Sequence, residues 1–341
     1  MRNNKFFIQQ YSFIDFFHGG IGCVDAERIM MRRNFQPVLF PDFNSFSIGA
    51  KFRRFFYLVK MVFAIKKGDH VVFVFPVYAR MNNLLLWLLS FKKNIRIICF
   101  VVDIDGIKDG DSELLREEVA SFRRYKYFVV PNDGTRDWLQ KQVPSAIIST
   151  VEFLDFLAIP FEGDRKKTNQ IVFAGNLEKS TFLKRLRPLM EISHNLHFNL
   201  FGPGYTNDMG STPDVSYKGV ATPYELPAKL EGSFGLVWDG DSIDMPGGSL
   251  GDYMRYISHH KISLYILSGL PVIVPEIAGS APLVKKYGIG ITIKNLYEIE
   301  EKINSISEEQ YQQMRQNMKP LAKKIANGER LGDALDELMK A

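Results

Sequence analysis

The fold of this chain is constrained most by a series of short apolar runs that alternate with helical segments. In the first half these runs are Lys5–Gln10, Gln36–Phe40, Val71–Phe75, Ile95–Val102 and Tyr127–Val130. A strand that is covered on both faces is apolar along its whole length, and parallel strands must be joined by crossover helices. The alternation therefore predicts parallel βαβ units and an α/β fold.

The alternation stops once and then starts again. The segment Phe156–Asn169 contains proline, glycine and a run of charges without an apolar period, which is typical of a linker. After it come apolar runs at Ile171–Ala174, His197–Phe201, Phe234–Trp238, Leu270–Pro275 and Gly288–Thr292. A chain of 341 residues suits two domains of about 150 residues each. We expect two doubly wound domains, in residues 1–155 and 170–306, joined by the linker 156–169 and followed by helices in residues 307–341.

Charge and cysteine content exclude several classes of protein. The net charge of +5 is too small to call for a nucleic-acid partner. Cys23 and Cys99 lie far apart in apolar surroundings, which predicts free buried thiols in a reducing compartment and excludes a cysteine zinc site. The first residues are too few and too polar for a signal peptide, and no apolar run reaches the roughly 18 residues of a membrane span. We therefore expect a cytoplasmic location.

The most informative stretch runs from Phe234 to Pro275. An apolar strand leads into a loop with three aspartates, and His260 and Lys261 then precede a helix that Gly269 ends before the next strand. In an open parallel sheet, ligands bind outside the carboxyl ends of the strands. A helix N-terminus beside a lysine favours a phosphate group. The alternative is a surface loop with solvated histidines.

This stretch resembles a family of bacterial nucleotide-sugar glycosyltransferases. The matching segments are Phe234–Asp239, His260-Lys261, Ser263–Tyr265 and Gly269–Val274, and a second match comprises Ile171–Asn176, Glu178-Lys179 and Phe182–Lys184. The family includes galactofuranosyltransferases of surface polysaccharide synthesis and the glucosyltransferase that extends serine-rich adhesin glycans. The resemblance covers the C-terminal half well and the N-terminal half in outline. It implies the GT-B fold, in which two Rossmann-like domains face a cleft and the last helix often crosses back to the first domain.

The resemblance implies that the second domain holds the nucleotide sugar. The candidate binding residues are Gly175, Asn176, Lys179, Tyr205, Asp239, His260 and Lys261. Lys261 would pair with the diphosphate, and Tyr205, after a Gly-Pro-Gly turn, could stack on the base or bond the ribose. The alternatives are a turn capped by Asn176, a turn at Tyr205 without a ligand, and a solvated Lys261.

The loop of Asp239, Asp241 and Asp244 could attract a divalent cation, since carboxylates are hard oxygen ligands. It lacks the spacing of an EF-hand, and GT-B enzymes generally bind the diphosphate without a metal. We expect neither a metal nor a resident cofactor.

The first domain is expected to bind the acceptor and to supply a base. Asp103 ends a buried strand and is the first candidate, because a partly desolvated carboxylate can accept a proton from an attacking hydroxyl. Asp15 and His18 follow the first strand and are the second and third candidates. Helix capping or a turn is the alternative for each of them.

The segment Gly49–Lys67 threads basic residues among aromatic ones. Such a helix could touch a membrane that carries a lipid-linked acceptor. Alternatively, its aromatic residues pack into the core while the lysines extend into solvent.

Together these features predict a transferase that moves a hexose from a UDP-sugar to a hydroxyl group of a glycan or lipid-linked glycan. Galactofuranose is the first choice of sugar and glucose the second, both by resemblance. The long C-terminal helices would allow a homodimer. One alternative is a non-catalytic nucleotide- or sugar-binding regulator on the same fold. Another is an epimerase or a dinucleotide-dependent oxidoreductase, but the loop at 18–22 lacks the GxGxxG spacing.

Overall fold

The computed structural model describes residues 3–12, 20–42, 44–193, 195–209 and 212–341. It contains two parallel six-stranded sheets, each flanked by helices. The α/β prediction and the arrangement as two Rossmann-like domains are confirmed.

The first sheet is formed by residues of the first half of the chain. Its strands are β1 (Lys5–Ile8), β2 (Gln36–Val38), β3 (His70–Phe75), β4 (Arg96–Val101), β5 (Tyr127–Val130) and β6 (Ile147–Thr150). They are ordered β2-β1-β3-β4-β5-β6, with every described pair parallel. Strands β3 and β4 are buried almost throughout, as expected for strands covered on both faces.

Six helices cover this sheet within the described first half. They are α1 (Ile21–Arg32), α2 (Ile48–Ala64), α3 (Arg80–Ser90), α4 (Asp105–Lys108), α5 (Ser112–Phe122) and α6 (Asp133–Gln142). Polar side chains start three of them. Ser47 accepts a hydrogen bond from the Ala50 N–H, Asp111 caps α5, and Asn132 accepts one from the Thr135 N–H.

The second sheet has the strand order of a dinucleotide-binding fold. Its strands are β7 (Gln170–Ala174), β8 (His197–Phe201), β9 (Val215–Tyr217), β10 (Phe234–Leu236), β11 (Val272–Pro275) and β12 (Gly290–Ile293). The order β12-β11-β10-β7-β8-β9 reverses between β7 and β10. The carboxyl ends of these two strands therefore form a crevice in which ligands bind in such folds.

The remaining helices lie in the second half. They are α7 (Arg187–Ile192), α8 (Leu226–Lys229), α9 (Gly248–Tyr253), α10 (His260–Leu267), α11 (Ala281–Tyr287), α12 (Ile299–Asn304), α13 (Glu308–Asn327) and α14 (Glu329–Lys340). Short 3₁₀ segments occur at Thr181–Arg185, Pro223–Glu225 and Leu296–Glu298. Within the described residues, no helix is long and apolar enough to cross a membrane.

The chain crosses between the two domains twice. The first crossing follows β6, and the second is Gly328, which separates α13 from α14 with a left-handed φ of 74°. Helix α14 packs on the first sheet, where its leucines join the same apolar cluster as Phe7 and Ile98. The Asp155 carboxylate of the first crossing accepts hydrogen bonds from the N–H groups of Arg330 and Leu331. The first domain thus includes the last helix of the chain.

Candidate active site

A cavity of about 430 Å³ lies between the two domains. The first domain lines it with Ile21, Gly22, Cys23, Val102 and Asp103. The second domain contributes five of the predicted donor-site residues, which are Gly175, Asn176, Lys179, His260 and Lys261. Helices α1 and α10 both begin at this cavity, so the positive ends of two helix dipoles face it.

Two glycine turns form the floor of the cavity on the second-domain side. The Gly175 N–H donates to the Phe201 carbonyl (3.0 Å), and a Cβ on Gly202 would lie 1.8 Å from the Gly175 carbonyl oxygen. A Cβ on Gly175 would lie 2.9 Å from Cε of Lys261. Any side chain at either glycine would therefore push the loops apart or displace Lys261.

Lys261 is held at the carboxyl ends of β7 and β10 by an ion pair. Its Nζ lies 3.1 Å from Oδ1 of Asp239 and 4.4 Å from the centre of the Phe173 ring. Nε2 of His259 lies 2.7 Å from Oδ2 of the same aspartate. Burial would raise the pKa of Asp239, but Lys261 and His259 outweigh burial and hold that pKa below its ordinary value. Asp239 is therefore ionised and fixes the direction of the Lys261 ammonium.

The two adjacent histidines have different partners. Nε2 of His260 donates to the Asp155 carbonyl (3.2 Å), and its ring packs on Phe156 with centroids 4.7 Å apart. Burial lowers the pKa of His260 to about 4, so this ring is neutral near pH 7. His260 lines the cavity as predicted, whereas His259 is the histidine that contacts Asp239.

On the opposite wall, Asp103 follows β4. The Tyr253 hydroxyl of α9 donates to its Oδ1 (3.1 Å), and Nζ of Lys108 lies 3.4 Å from its Oδ2. Burial raises the pKa of Asp103, and Lys108 and Tyr253 offset only part of that rise. The Cys23 thiol shares this wall. Burial, followed by the charge of Asp103, raises its pKa to about 12, so it stays protonated.

The other candidate bases, Asp15 and His18, lie outside the described residues. The segment just before them is fixed by Glu27 of α1. Its buried carboxylate accepts hydrogen bonds from the N–H groups of Gln10, Tyr11 and Ser12. This contact fixes the start of the loop that follows β1.

Tyr205 is not among the described residues that line the cavity. Its ring stacks on Tyr217 with centroids 4.3 Å apart and planes 8° from parallel. Asn176 lines the cavity and also accepts a hydrogen bond from the Lys179 N–H (3.3 Å), which stabilises the turn.

The aspartates near Asp239 do not form a metal site with it in the described structure. Oδ2 of Asp244 accepts a hydrogen bond from the Ser242 hydroxyl (3.1 Å). Across the described part of the chain, no group of three or more His, Cys, Asp or Glu side chains could hold a metal ion.

Sequence reasoning missed several residues of the site. His259 contacts Asp239, and Phe156 lines the cavity. Val220, Ala221 and Leu226 form an apolar wall of the cavity. A histidine beside the predicted lysine was a signal for His259. The apolar wall comes from loops whose positions depend on tertiary packing, so no local pattern pointed to it.

The two family models that match this chain are the N-terminal domain of glucosyltransferase 3-like proteins, at residues 20–147, and the C-terminal domain of the same family, at residues 171–338. The fold is the GT-B fold of glycosyltransferases. The chain belongs to the glucosyltransferase 3-like family, and the predicted family and enzyme class are confirmed.

The characterised relatives of this chain include a galactofuranosyltransferase and a glucosyltransferase. The chain is 27% identical over 284 residues to the beta-1,6-galactofuranosyltransferase WbbI of Escherichia coli K12, covering 81% of this chain and 80% of that protein. It is 25% identical over 221 residues to glucosyltransferase 3 of Streptococcus gordonii, covering 64% of this chain and 63% of that protein.

Solved structures share the fold at low sequence identity. HepE of Anabaena in complex with UDP and glucose matches with a TM-score of 0.64 at 11% identity and full coverage of both chains. A sucrose-phosphate synthase from Thermosynechococcus elongatus matches with a TM-score of 0.64 at 12% identity, covering 99% of this chain and all of that one. These matches confirm the GT-B prediction.

Proposed function

We propose that the protein transfers a hexose from a UDP-sugar to a hydroxyl group of a glycan. The observation that carries this proposal is the placement of Lys261. Asp239 fixes its ammonium beside two glycine turns, at the point where the strand order reverses. A diphosphate needs a fixed positive charge and close approach to the backbone, and this position offers both.

Lys261 would act on the leaving group. Breaking the bond between the sugar and the diphosphate leaves additional negative charge on the phosphate oxygens, and a cation fixed in advance stabilises that charge without reorganisation. The N-termini of α1 and α10 add partial positive charge at the same cavity. Lys179 lines the same wall and could contribute a second ammonium group.

Asp103 is the base that we propose for the acceptor hydroxyl. It faces the same cavity from the opposite domain, and burial raises its pKa, which makes the carboxylate a stronger proton acceptor. The Lys108 ammonium offsets part of that rise and favours the ionised carboxylate. The reaction would thus take place between the two domains, whose closure would exclude water from an activated donor.

Galactofuranose is our first choice of transferred sugar and glucose the second. The first is supported by the 27% identity to a galactofuranosyltransferase and the second by two glucosyltransferases among the relatives. UDP as the nucleotide is supported by structural relatives solved with UDP or UDP-glucose. We propose a surface glycan or lipid-linked glycan as acceptor, with no resident cofactor or metal. A lipid-linked acceptor would bring the enzyme to the inner face of the cell membrane.

The nucleotide assignment can be tested by thermal stability with UDP, GDP, CMP and NAD, each at saturating concentration. A ligand that binds only the folded state raises the melting temperature by mass action. We expect a rise with UDP and none with the other three. No rise with UDP, or a rise with NAD, would refute the donor site around Lys261.

The catalytic role of Asp103 is tested by Asp103→Asn, with exposed Asp109→Asn as the matched control. We expect transfer from UDP-galactofuranose or UDP-glucose to fall by a factor of about 10² to 10⁴, as for loss of a general base, while UDP still raises the melting temperature. Transfer at the wild-type rate would exclude Asp103 as the base. A variant that no longer binds UDP would assign it a structural role instead.

A further inference from the structure

Helix α2 has a row of exposed aromatic side chains. Phe52, Phe56 and Phe63 are 60%, 67% and 75% exposed, and Phe55 is 55% exposed. Their spacing of three, four and seven residues puts them on one side of the helix. In the part of the chain that the structure describes, nothing covers this row.

The helix does not need this row in order to pack. Its other side is buried, with Leu58, Met61 and Ile65 in the apolar cluster that covers the first sheet. An ordinary surface helix has one apolar face and one polar face. Helix α2 has two apolar faces, and exposed apolar patches of this kind mark interaction sites.

Helix α3 extends the exposed surface. Trp87 and Phe91 are 41% and 67% exposed, and their rings meet edge to face with centroids 4.8 Å apart. The Lys92 ammonium donates to the Ile65 carbonyl (2.8 Å), which ties the end of α3 to the end of α2. The combined surface is called the α2–α3 face, and it comprises Phe46, Ile48, Phe52, Phe55, Phe56, Phe63, Leu84, Trp87 and Phe91.

The charge around this face is mainly positive, although Asp42 pairs with Arg53 of α2. Between Asn44 and Ile95 the sequence contains nine Lys and Arg residues and one acidic residue. That acid, Asp69, is buried and accepts hydrogen bonds from the N–H groups of Asn4 and Lys66. Exposed Lys51 and Lys60 lie on α2 among the aromatic residues. A partner for this face must therefore be apolar at its centre and negatively charged around it.

We propose that the α2–α3 face docks the protein onto the surface of an anionic lipid bilayer. The phenylalanines would enter the boundary between headgroups and acyl chains, and the lysines and arginines would contact the headgroup phosphates. Trp87 is suited to the same boundary because its ring is apolar and its N–H is polar. Pairing of this face with the same face of a second copy would place like charges together, which is unfavourable. The inference goes beyond the proposed function, because binding to lipid requires no sugar donor.

Sedimentation with lipid vesicles tests the proposal. We expect the protein to pellet with vesicles of phosphatidylglycerol and phosphatidylcholine at low salt, and the bound fraction to fall with added salt or with phosphatidylcholine alone. The triple variant Phe52→Ser/Phe56→Ser/Phe63→Ser should partition onto the vesicles at least about tenfold more weakly, because each substitution removes apolar area that would be buried in lipid. The matched control is Ile159→Ser/Ile192→Ser/Met245→Ser, which removes three exposed apolar side chains elsewhere and should pellet like the wild type.

Tryptophan fluorescence gives a second readout. Of the three tryptophans, Trp238 is fully buried and Trp138 packs partly buried against the first domain's core, whereas Trp87 lies on the proposed face. We expect anionic vesicles to shift the emission to shorter wavelength. The shift should disappear in Trp87→Phe, which should still pellet.

Three results would overturn the proposal. The first is the absence of pelleting with anionic vesicles at low salt, and the second is wild-type partitioning by a correctly folded triple phenylalanine variant, with folding checked by melting temperature. The third is an oligomer that the triple variant converts to a monomer, without vesicle binding by either form. That last result would assign the face to a second copy of the chain. None of these outcomes depends on UDP binding, so they are distinct from failure of the proposed function.

Discussion

Lys261 is the residue on which the proposed donor site depends. Its ammonium is fixed by a carboxylate on one side and an aromatic face on the other. Asp239 has a second hydrogen-bond partner in His259, so the carboxylate keeps a partner even when Lys261 turns towards a phosphate. The site can therefore present a positive charge to a ligand without leaving the partly buried Asp239 carboxylate unpaired.

Replacing Lys261 by glutamine should weaken UDP binding about 10- to 100-fold, since a charge-assisted hydrogen bond contributes about 1.5–3 kcal/mol. Titration calorimetry with UDP measures the change. The matched control is Lys184→Gln, which removes an exposed lysine that pairs with Asp208 on the surface. Equal UDP affinity in the two variants would contradict the role of Lys261.

Single residues also show how far the sequence could predict the site. Five of the seven predicted donor-site residues line the cavity, because glycine turns and helix starts leave clear local signals. The sequence did not show which of His259 and His260 contacts Asp239, since the direction of each ring depends on tertiary contacts such as that of His260 with the Asp155 carbonyl. Tyr205 stacks on Tyr217, a neighbour supplied by another strand, which no local pattern shows.

Among the elements, α14 connects the end of the chain to its beginning. Gly328 starts it in a left-handed conformation, and a Cβ there would lie 2.5 Å from Cγ1 of buried Ile29 in α1. The backbone direction at this residue sends α14 onto the first sheet.

The variant Gly328→Ala should be less stable than the wild type by about 2–4 kcal/mol. About 1–2 kcal/mol would come from the left-handed backbone and the remainder from overlap with Ile29. The control is Gly248→Ala, which has a similar φ of 70° but no atom within 4 Å of its Cβ. Urea unfolding of both variants separates the two contributions. Equal losses would mean that the contact with Ile29 is unimportant.

Asp155 makes the docking of α14 depend on pH. Burial raises its pKa from 3.8 to about 7, although two N–H groups of α14 and the charge of Arg330 oppose the rise, and Asp25 adds to it. The folded protein therefore keeps a proton that the unfolded chain releases, so stability falls as pH increases from 3.8 to about 7. This contribution is largest below that range and is lost above it.

The variant Asp155→Asn cannot titrate at this position. Compared with the variant, the wild type should lose up to about 1.4 kcal/mol of unfolding free energy for each pH unit between pH 3.8 and about 7. Urea unfolding at about pH 5 and about pH 7.5 measures the difference. A difference between the two proteins that does not change with pH would show that Asp155 is already ionised throughout.

The sequence predicted most elements but not all of them. Long apolar runs such as β3 and β4 are present near their predicted bounds, because continuous burial requires apolar residues throughout. Strands β6 and β9 were not predicted, since each lies at a sheet edge and is only partly buried. The connection between β7 and β8 contains a 3₁₀ segment followed by the short helix α7, with a proline in the first turn of α7.

At the scale of the whole molecule, the apolar clusters of the first domain include residues from the second half of the chain. Helix α14 joins the core of the first domain from the second half of the chain, and Tyr253 of α9 joins another apolar cluster of that domain. The Tyr224 hydroxyl donates to buried Asp25 across the same boundary (2.6 Å). The first domain therefore depends for its stability on residues of the second half of the chain, in contrast to a domain that is joined only by a flexible linker.

Deletion of residues 329–341 should destabilise the first domain. Leu331, Leu335 and Leu338 are nearly fully buried, and each contributes roughly 1.5–3 kcal/mol by burial. The sum is comparable with the total stability of an ordinary domain. Hydrogen exchange should show loss of protection in β4 to β6, while β7 to β12 remain protected. Unchanged protection in the first sheet would contradict this role of α14.

The position of α14 also affects how the protein is made. During synthesis the first sheet leaves the ribosome early, but the helix that covers one of its faces is translated after the entire second domain. The nascent first domain would therefore expose Phe7, Ile98 and Val129 for most of translation. We expect it to acquire its stable fold only after α14 has left the ribosome, and to need a chaperone during that interval.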